Sequence, residues 1–464
     1  MRAALNLFLV GSIALAGCAT PVPELAASDV PMTWEGPYEE SAPLWPSPEW
    51  WQGFESDELN RVIGEVMDGN LDLAAAEQRI VQADARVRIV GSALLPGADA
   101  SLRASRSGDV GEASSFGSSF GADFGASYSV DFWGRNRANL TAAEANRTAT
   151  RADRETVALT AVSGAANTYF QLLSLRQRLA IAELNLDIAE SILEVTESRV
   201  RNGVATPLEL TQQLGTIAGQ RAIIPQLQQQ VLETRAALAL LSGRPPEGFD
   251  VAGYDLETIA TPQVAPGLPS DLLLRRPDIV AAEADLIAAN ADLTAARAAL
   301  FPSISLTAGG GLASDSLAGL LRDAVLGVSI GAGLSQTIFD AGARRAQTEA
   351  AAAAELETLA NYRATVISAF ADVEIALGNI ANLAEQEVYE IEQTTQAQRA
   401  FEIISARYRE GVADYLTLLD AQRTLYQATD SLGQIKLARL QSVVALYQAL
   451  GGGWQADELL LANN

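Results

Sequence analysis

Residues 172–200 read LLSLRQRLAIAELNLDIAESILEVTESRV. Leu172, Leu179, Leu186, Leu193 and Val200 recur every seven residues, and Leu175, Ala182 and Ala189 lie three positions after the first three. This is the seam of a helix packed on another, with Ala at the second position to allow close approach. The seam itself is packing; the length of the element is what informs. Working outward, residues 135–202 contain no Pro and only Gly164. A helix over that whole stretch is about 100 Å long at 1.5 Å per residue. Gly203 then marks a reversal into a return helix that runs to about Leu241.

The pattern occurs twice. Arg199-Val200-Arg201-Asn202-Gly203-Val204 corresponds to Arg407-Tyr408-Arg409-Glu410-Gly411-Val412, an offset of 208 that also relates Gly134 to Gly342. Leu73–Pro96 (LAAAEQRIVQADARVRIVGSALLP) corresponds to Ile279–Pro302 (IVAAEADLIAANADLTAARAALFP), with Glu77 matching Glu283 and Pro96 matching Pro302 at an offset of 206. So little drift over two halves of this size points to rigid, length-critical elements. The second half therefore repeats the hairpin as helices 343–410 and 413–449 about Gly411.

Between each short helix and each long one lies a Gly/Ser-rich stretch with alternating character, 98–133 and 303–339. Tyr128, Val130 and Phe132 alternate with Ser127, Ser129 and Asp131, a strand period. Breaks at 106–114 and 313–325 divide the stretches into four strands. Four strands close no barrel that encloses anything, and an open sheet leaves two edges. A hairpin of such length cannot bury itself in a compact monomer. Both problems vanish if several chains share one barrel; three chains would give twelve strands. The expected fold class is mainly α with a β portion, built on an internal two-fold repeat.

Composition narrows the chemistry. The chain of 464 residues has no His and one Cys. Triads that use His, His-ligated metals and disulfides are excluded. No phosphate-binding GxxxxGK[ST] loop occurs, and the paired acids Asp372/Glu374 and Glu385/Glu387 point to different helix faces. No catalytic residue, cofactor or metal site is expected. A formal net charge of −25 argues against nucleic-acid binding. No apolar run of membrane-spanning length follows residue 20, so no transmembrane helix is expected. The N-terminus, MRAALNLFLVGSIALAGC, has Arg2, a short apolar core and Leu15-Ala16-Gly17-Cys18. It reads as a lipoprotein signal over 1–17, with Cys18 as the lipid-bearing residue. Seven prolines between residues 19 and 48 make 18–48 an extended tether.

The runs YSVDFWGRNRA (128–138), LPSDLLLRRPDIVAAEADLIAANADLTAARAALFPSISL (268–306), IFDAGARRA (338–346), RYREGVADYLTLLDAQRTLY (407–426) and VALYQALGGGW (444–454) resemble the outer-membrane efflux protein family. The likeness is to its TolC-like factors, in the lipoprotein branch that serves resistance-nodulation-division (RND) pumps. It covers nearly everything after the tether. It implies a homotrimer with a twelve-stranded β-barrel in outer-membrane lipid and a periplasmic α-barrel. A periplasmic adaptor and an inner-membrane RND transporter would be its partners. By domain, 49–242 and 269–453 are the two repeats, 243–268 an equatorial linker and 454–464 a tail. Ala19 after the Cys favours the outer membrane. In the family, residues matching Asp420 and Leu416 form rings that constrict the channel, and Gln212 occupies the equivalent of Asp420 in the first half. The matching tips, Arg199/Gly203/Val204 and Arg407/Gly411/Val412, dock the adaptor, while a tight turn is what the Gly alone requires. Arg275-Arg276-Pro277-Asp278 reads as a helix start, and Phe116, Phe120, Phe124, Tyr128, Phe132 and Trp133 as strand aromatics facing lipid or the membrane interface. The implied function is passive exit of drugs, other small toxic compounds or metal ions. A type I protein secretion duct and a trimeric coiled-coil spacer are the competing readings; duplicated strand pairs argue against the spacer.

Overall fold

The computed structural model describes residues 30–38, 42, 44–109, 115–322 and 324–455. Cys18, its leader and the tail from 456 lie outside the described residues. Helices α1 (Asp57–Gly69) and α2 (Leu71–Gly91) lead to strands β1 (Gly97–Asp109) and β2 (Ser115–Val130), then α3 (Arg135–Arg201) and α4 (Pro207–Leu241). A linker leads to α5 (Pro277–Ala298), β3 (Ser303–Ser314), a short α6 (Leu317–Arg322) and β4 (Val325–Ser335), then α7 (Ala343–Arg409) and α8 (Tyr415–Ala449). Both long helices have 67 residues and both return helices 35. The chain forms two compact units, one with Gln78–Arg151 and Ala281–Ala364, the other with Ala26–Glu77, Ala152–Val280 and Thr365–Asn464.

In the first unit the strands form one antiparallel sheet in the order β1-β2-β3-β4. Its register sorts the side chains. Leu102 pairs with Ala122, Phe124 with Gly310, Leu306 with Ala332 and Ala308 with Ile330, so these share one face. The other face carries Asp99, Ser101, Asp123, Ser127, Ser305, Thr307 and Ser329 among many glycines. The apolar face is uncovered in the single chain: Leu102 is 85% exposed and Ile330 87%. Phe116, Phe120, Phe124 and Tyr128 fall on it through a period of two, although their spacing of four imitates a helix. The Arg106 guanidinium lies over the Phe116 ring, 5.6 Å from its centroid.

The strands stop short of 133 and 339, and the reason repeats in both halves. Asp131 accepts hydrogen bonds from the backbone N–H groups of Asn136 and Arg137, each at 2.9 Å. Asp340 does the same for Gly342 and Arg344 at 3.0 and 3.3 Å. Each carboxylate caps the helix that follows, and Gly134 and Gly342 take positive φ of 77° and 88° to make the corner. Trp133 is held there by its indole N–H donating to the Pro302 carbonyl at 2.8 Å and by stacking on Phe301. Helix α6 occupies the expected break between β3 and β4. Ala142 and Ala145 of α3 meet Ala288 and Ala291 of α5, a contact that only small side chains allow.

In the second unit the seam is partly as the heptads predict. Leu172, Leu175, Ala182 and Ala189 are buried, and Leu175 and Ala182 pack with Leu227 of α4. Leu186, Leu193 and Val200 are only half-buried. Beyond them the core passes to Ile192, Phe401, Tyr408, Tyr415, Leu418 and Leu425. An 18-residue window of α7 reaches a mean hydropathy of 1.4, enough by composition for a membrane span, which the sequence reading did not anticipate. Val366, Ala369 and Val373 of that helix are fully buried, but only 33% of the window is, and Ile367 and Ile375 stand 60% and 62% exposed.

Part of the expected tether is fastened. Trp34 is 7% exposed, its indole N–H donates to the Gly267 carbonyl at 2.9 Å, and Glu374 accepts the N–H groups of Glu35 and Gly36 at 2.7 Å each. The linker is fastened too. Burial would raise the Glu58 carboxyl, but the N–H groups of Ala252 and Gly253 and the Tyr169 hydroxyl outweigh it and hold it below its ordinary value. Pro277 opens α5 as expected of a helix start. Arg276 does more than cap: it pairs with Asp278 at 2.6 Å and Asp372 at 3.0 Å and donates to the Ala449 carbonyl.

One repeat position has lost its cation. Glu77 pairs with Arg154 at 3.5 Å. Their counterparts are Glu283 and Tyr362, so the second carboxylate faces a phenol, and burial pushes its pKa above the ordinary value. At pH values between the ordinary and the folded pKa, the folded state holds a proton that the unfolded chain releases. Stability from this group is full below the ordinary carboxylate pKa and is lost as pH rises through the folded value. Glu283→Gln is therefore expected to raise the thermal unfolding midpoint at pH 7.5 by about 2 °C. The gain should vanish near pH 4; circular dichroism melts at the two pH values check both arms.

Candidate functional site

The two hairpin reversals share one backbone device. Val204 N–H donates to the Arg199 carbonyl at 2.9 Å and Gly203 N–H to that of Val200 at 3.0 Å. Val412 and Gly411 donate to Arg407 and Tyr408 at 2.9 and 3.1 Å. This is the Schellman arrangement, whose capping residue must sit at positive φ; Gly203 and Gly411 have φ of 73° and 79°. The Arg-to-Gly-Val spacing seen in the sequence is thus the hydrogen-bond spacing of the turn. Each return helix is then capped at its start. Thr206 and Glu209 form a reciprocal capping box. Asp414, 208 positions after Thr206, accepts from Thr417 N–H at 2.9 Å, which holds its carboxyl below the usual value.

Side chains at the reversals are unequal. Val204 and Val412 are both 64% exposed. Arg199 is half-buried: it donates to the Tyr408 carbonyl at 2.7 Å and its guanidinium lies 4.6 Å from the centroid of the Tyr408 ring. Arg407 is exposed. Tyr408, 1% exposed, shares a hydrogen bond with Thr196 at 3.1 Å. Tyr415 donates to the Gln213 side-chain carbonyl at 2.8 Å, and Gln213 donates to the Ala189 carbonyl at 2.6 Å. Burial pushes the Tyr415 phenol up to about 12, so it remains a neutral donor. This polar network joins α3, α4, α7 and α8 where an apolar core alone would set no register.

Asp420 and Leu416 lie one turn apart on the outer face of α8. Leu416 is 62% exposed, and the Asp420 side chain is 69% exposed. Asp420 is not alone: Arg423 donates to it at 2.9 Å. Sequence reasoning passed over Arg423, although it lies inside the quoted 407–426 run. It also passed over Tyr408, Tyr415, Gln213 and Thr196. Their counterparts at the offset of 208 are Val200, Pro207, Ala421 and Ile404. Divergence between the halves was the available signal.

Comparison with known proteins now places the chain. The outer membrane efflux protein profile matches residues 62–244 and 268–452, once per repeat. The pyoverdine export outer membrane protein OpmQ of Pseudomonas aeruginosa is 40% identical over 469 residues, spanning 98% of both chains. Its Pseudomonas putida namesake is 39% identical over 456 residues, 96% of this chain and 97% of the relative. The cation efflux system protein CusC of Escherichia coli is 30% identical over 407 residues, 87% of this chain and 88% of the relative. Among solved structures, the outer-membrane channel OprN superposes with a TM-score of 0.86 at 29% identity, covering 95% of this chain and all of that one. The open-state MtrE channel of Neisseria gonorrhoeae gives 0.84 at 29% identity, covering 94% of this chain and 99% of that one. The chain belongs to the outer membrane efflux protein family, whose members are efflux channels of the outer membrane.

Proposed function

We propose that three copies of this chain close one twelve-stranded barrel in the outer membrane and continue as a helical duct, forming the passive exit of a tripartite RND-type efflux pump. The two-faced sheet supports this most directly. Strands of 11 to 16 residues meet or exceed the length of about 9–11 residues that crosses a bilayer at the usual tilt. Apolar side chains on one face and Ser, Gly and Asp on the other suit lipid outside and water inside. Both sheet edges carry unpaired backbone groups, which lipid cannot satisfy and a neighbouring copy can. Energy would come from a separate inner-membrane transporter. The relatives at 39 and 40% identity are named for pyoverdine export, which favours a small exported metabolite as cargo over metal ions. It also favours pump service over protein secretion.

In this reading Asp420 and Leu416 form the narrow end of the duct, three carboxylates and three leucines around one axis, with Arg423 tempering the charge. Asp420→Ala with Leu416→Ala removes both barriers. Single-channel conductance in planar bilayers is expected to rise and cation preference to weaken; unchanged values would put the constriction elsewhere.

The six hairpin reversals of a trimer would offer a ring of similar turns to an adaptor of matching symmetry. Gly203→Glu with Gly411→Glu forces two L side chains to positive φ, at about 1–2 kcal/mol of strain each, and adds carboxylates at the contact. Efflux and adaptor crosslinking are expected to fall while the trimer persists on sizing; intact efflux by a folded variant would rule out docking there.

Cys18 is proposed as the lipid-bearing residue. Cys18→Ser with the leader retained is expected to lose metabolic labelling by palmitate, and labelling equal to the wild type would end that assignment.

A further inference from the structure

Within the second unit a cavity of about 440 Å³ opens between α4 and α8, with α3 as its floor. Its volume is that of a small-molecule site. Gln220, Gln226 and Gln230 of α4 face Gln427 of α8 across it, and Asn185 of α3 adds a fifth carboxamide. Every carboxamide offers a carbonyl acceptor and two N–H donors, the complement of a peptide group. Ile181, Ala182 and Leu227 supply apolar floor.

The two arginines of the cavity differ. Arg178 is spent on Asp430, with contacts at 2.6 and 3.4 Å. Arg423 has only the exposed Asp420 carboxylate, on a side chain itself 70% exposed. A surface pair of this kind is weak and readily exchanged. Asp420, Arg423, Gln427 and Asp430 are spaced three, four and three apart, so they share one stripe of α8. The cavity therefore opens on the face that carries Asp420. Pro225 interrupts the α4 hydrogen-bond ladder at the same level, leaving the Arg221 carbonyl without its usual donor.

We infer that this cavity is a cargo niche in the wall of the duct that takes a short, amide-rich anion: carboxamides hold its peptide groups, and Arg423 leaves Asp420 to hold its carboxylate. The luminal placement rests on the exit-duct reading above. Occupancy and the constriction are then coupled, because a bound carboxylate frees Asp420.

The test uses full-length protein in detergent with two probes, N-acetyl-triglycine and its C-terminal amide, read by saturation-transfer NMR. The acid is expected to bind in the millimolar range and about threefold more tightly than the amide. Gln226→Leu with Gln230→Leu is expected to weaken the acid about fivefold or more. Arg423→Gln is expected to abolish the preference for acid over amide. Circular dichroism and sizing confirm that each variant is folded and trimeric. No saturation transfer, or equal transfer in all variants, overturns the niche. Planar-bilayer conductance on the same preparations judges the duct separately. Pores without peptide binding leave the duct and remove the niche. Peptide binding by a protein that forms no pore overturns the exit-duct reading and with it the luminal placement.

Discussion

Backbone pairing in the sheet is the constraint on which the molecule turns. Each of the four strands uses its inward-lying N–H and C=O groups on a neighbour, but the outer groups of β1 and β4 have no strand partner among the described residues. In water such edges are a liability, and in lipid they are prohibitive. The apolar face adds a second unmet demand, because Leu102, Phe124, Val328 and Ile330 stand exposed. Such a sheet calls for partners along its edges and an apolar cover over that face. Membership of the outer membrane efflux family agrees with that physical reading without being needed for it.

Helix length follows from the same economy. The two 67-residue helices end in the same Schellman turn, and both 35-residue return helices follow a capping Thr or Asp. Their other ends close with the same turn: Arg244 donates to Ala239 and Gly452 to Tyr447. Caps of this kind fix where a helix stops more firmly than propensity does. If six hairpins are to end level around one axis, neither half can gain or lose a residue. An offset that holds at 208 from Gly134 to Gly451 is what that requirement leaves in a sequence.

The fold was therefore legible wherever periodicity or turn chemistry carried it. Residues 172–200 announce a helix seam, Gly203 and Gly411 announce reversals, and the Ser/Gly alternation announces strands. Strand ends were misjudged because Asp131 and Asp340 act as caps four and three positions before the helices they serve. The docking of Trp34 and the Glu374 clamp on Glu35 and Gly36 were hidden, because their partners lie more than 200 positions away. The heptads overstated the seam at Leu186, Leu193 and Val200, since pattern alone does not say when one partner helix yields to another. Asp420 was visible, whereas its link to Arg423 needed side-chain geometry.

Duplication supplies the architecture, and the departures from it supply individuality. Where the halves agree, they agree in backbone: the corner glycines, the capping acids, the turns. Where they differ, the difference is one of charge or hydrogen bonding. Gln212 faces Asp420 across the repeat, Gly215 faces Arg423, Tyr362 stands for Arg154, and Val200 stands for Tyr408. Two similar hairpins could pack equally well on themselves or on each other. The Tyr408–Thr196 and Tyr415–Gln213 hydrogen bonds are available in only one pairing, because the counterparts Val200 and Pro207 can make neither through a side chain. Buried polar contacts of this kind set register at some cost in stability. The same asymmetry confines the acidic Asp420 position and its arginine to one hairpin of the two, so a trimer would carry three such sites and not six.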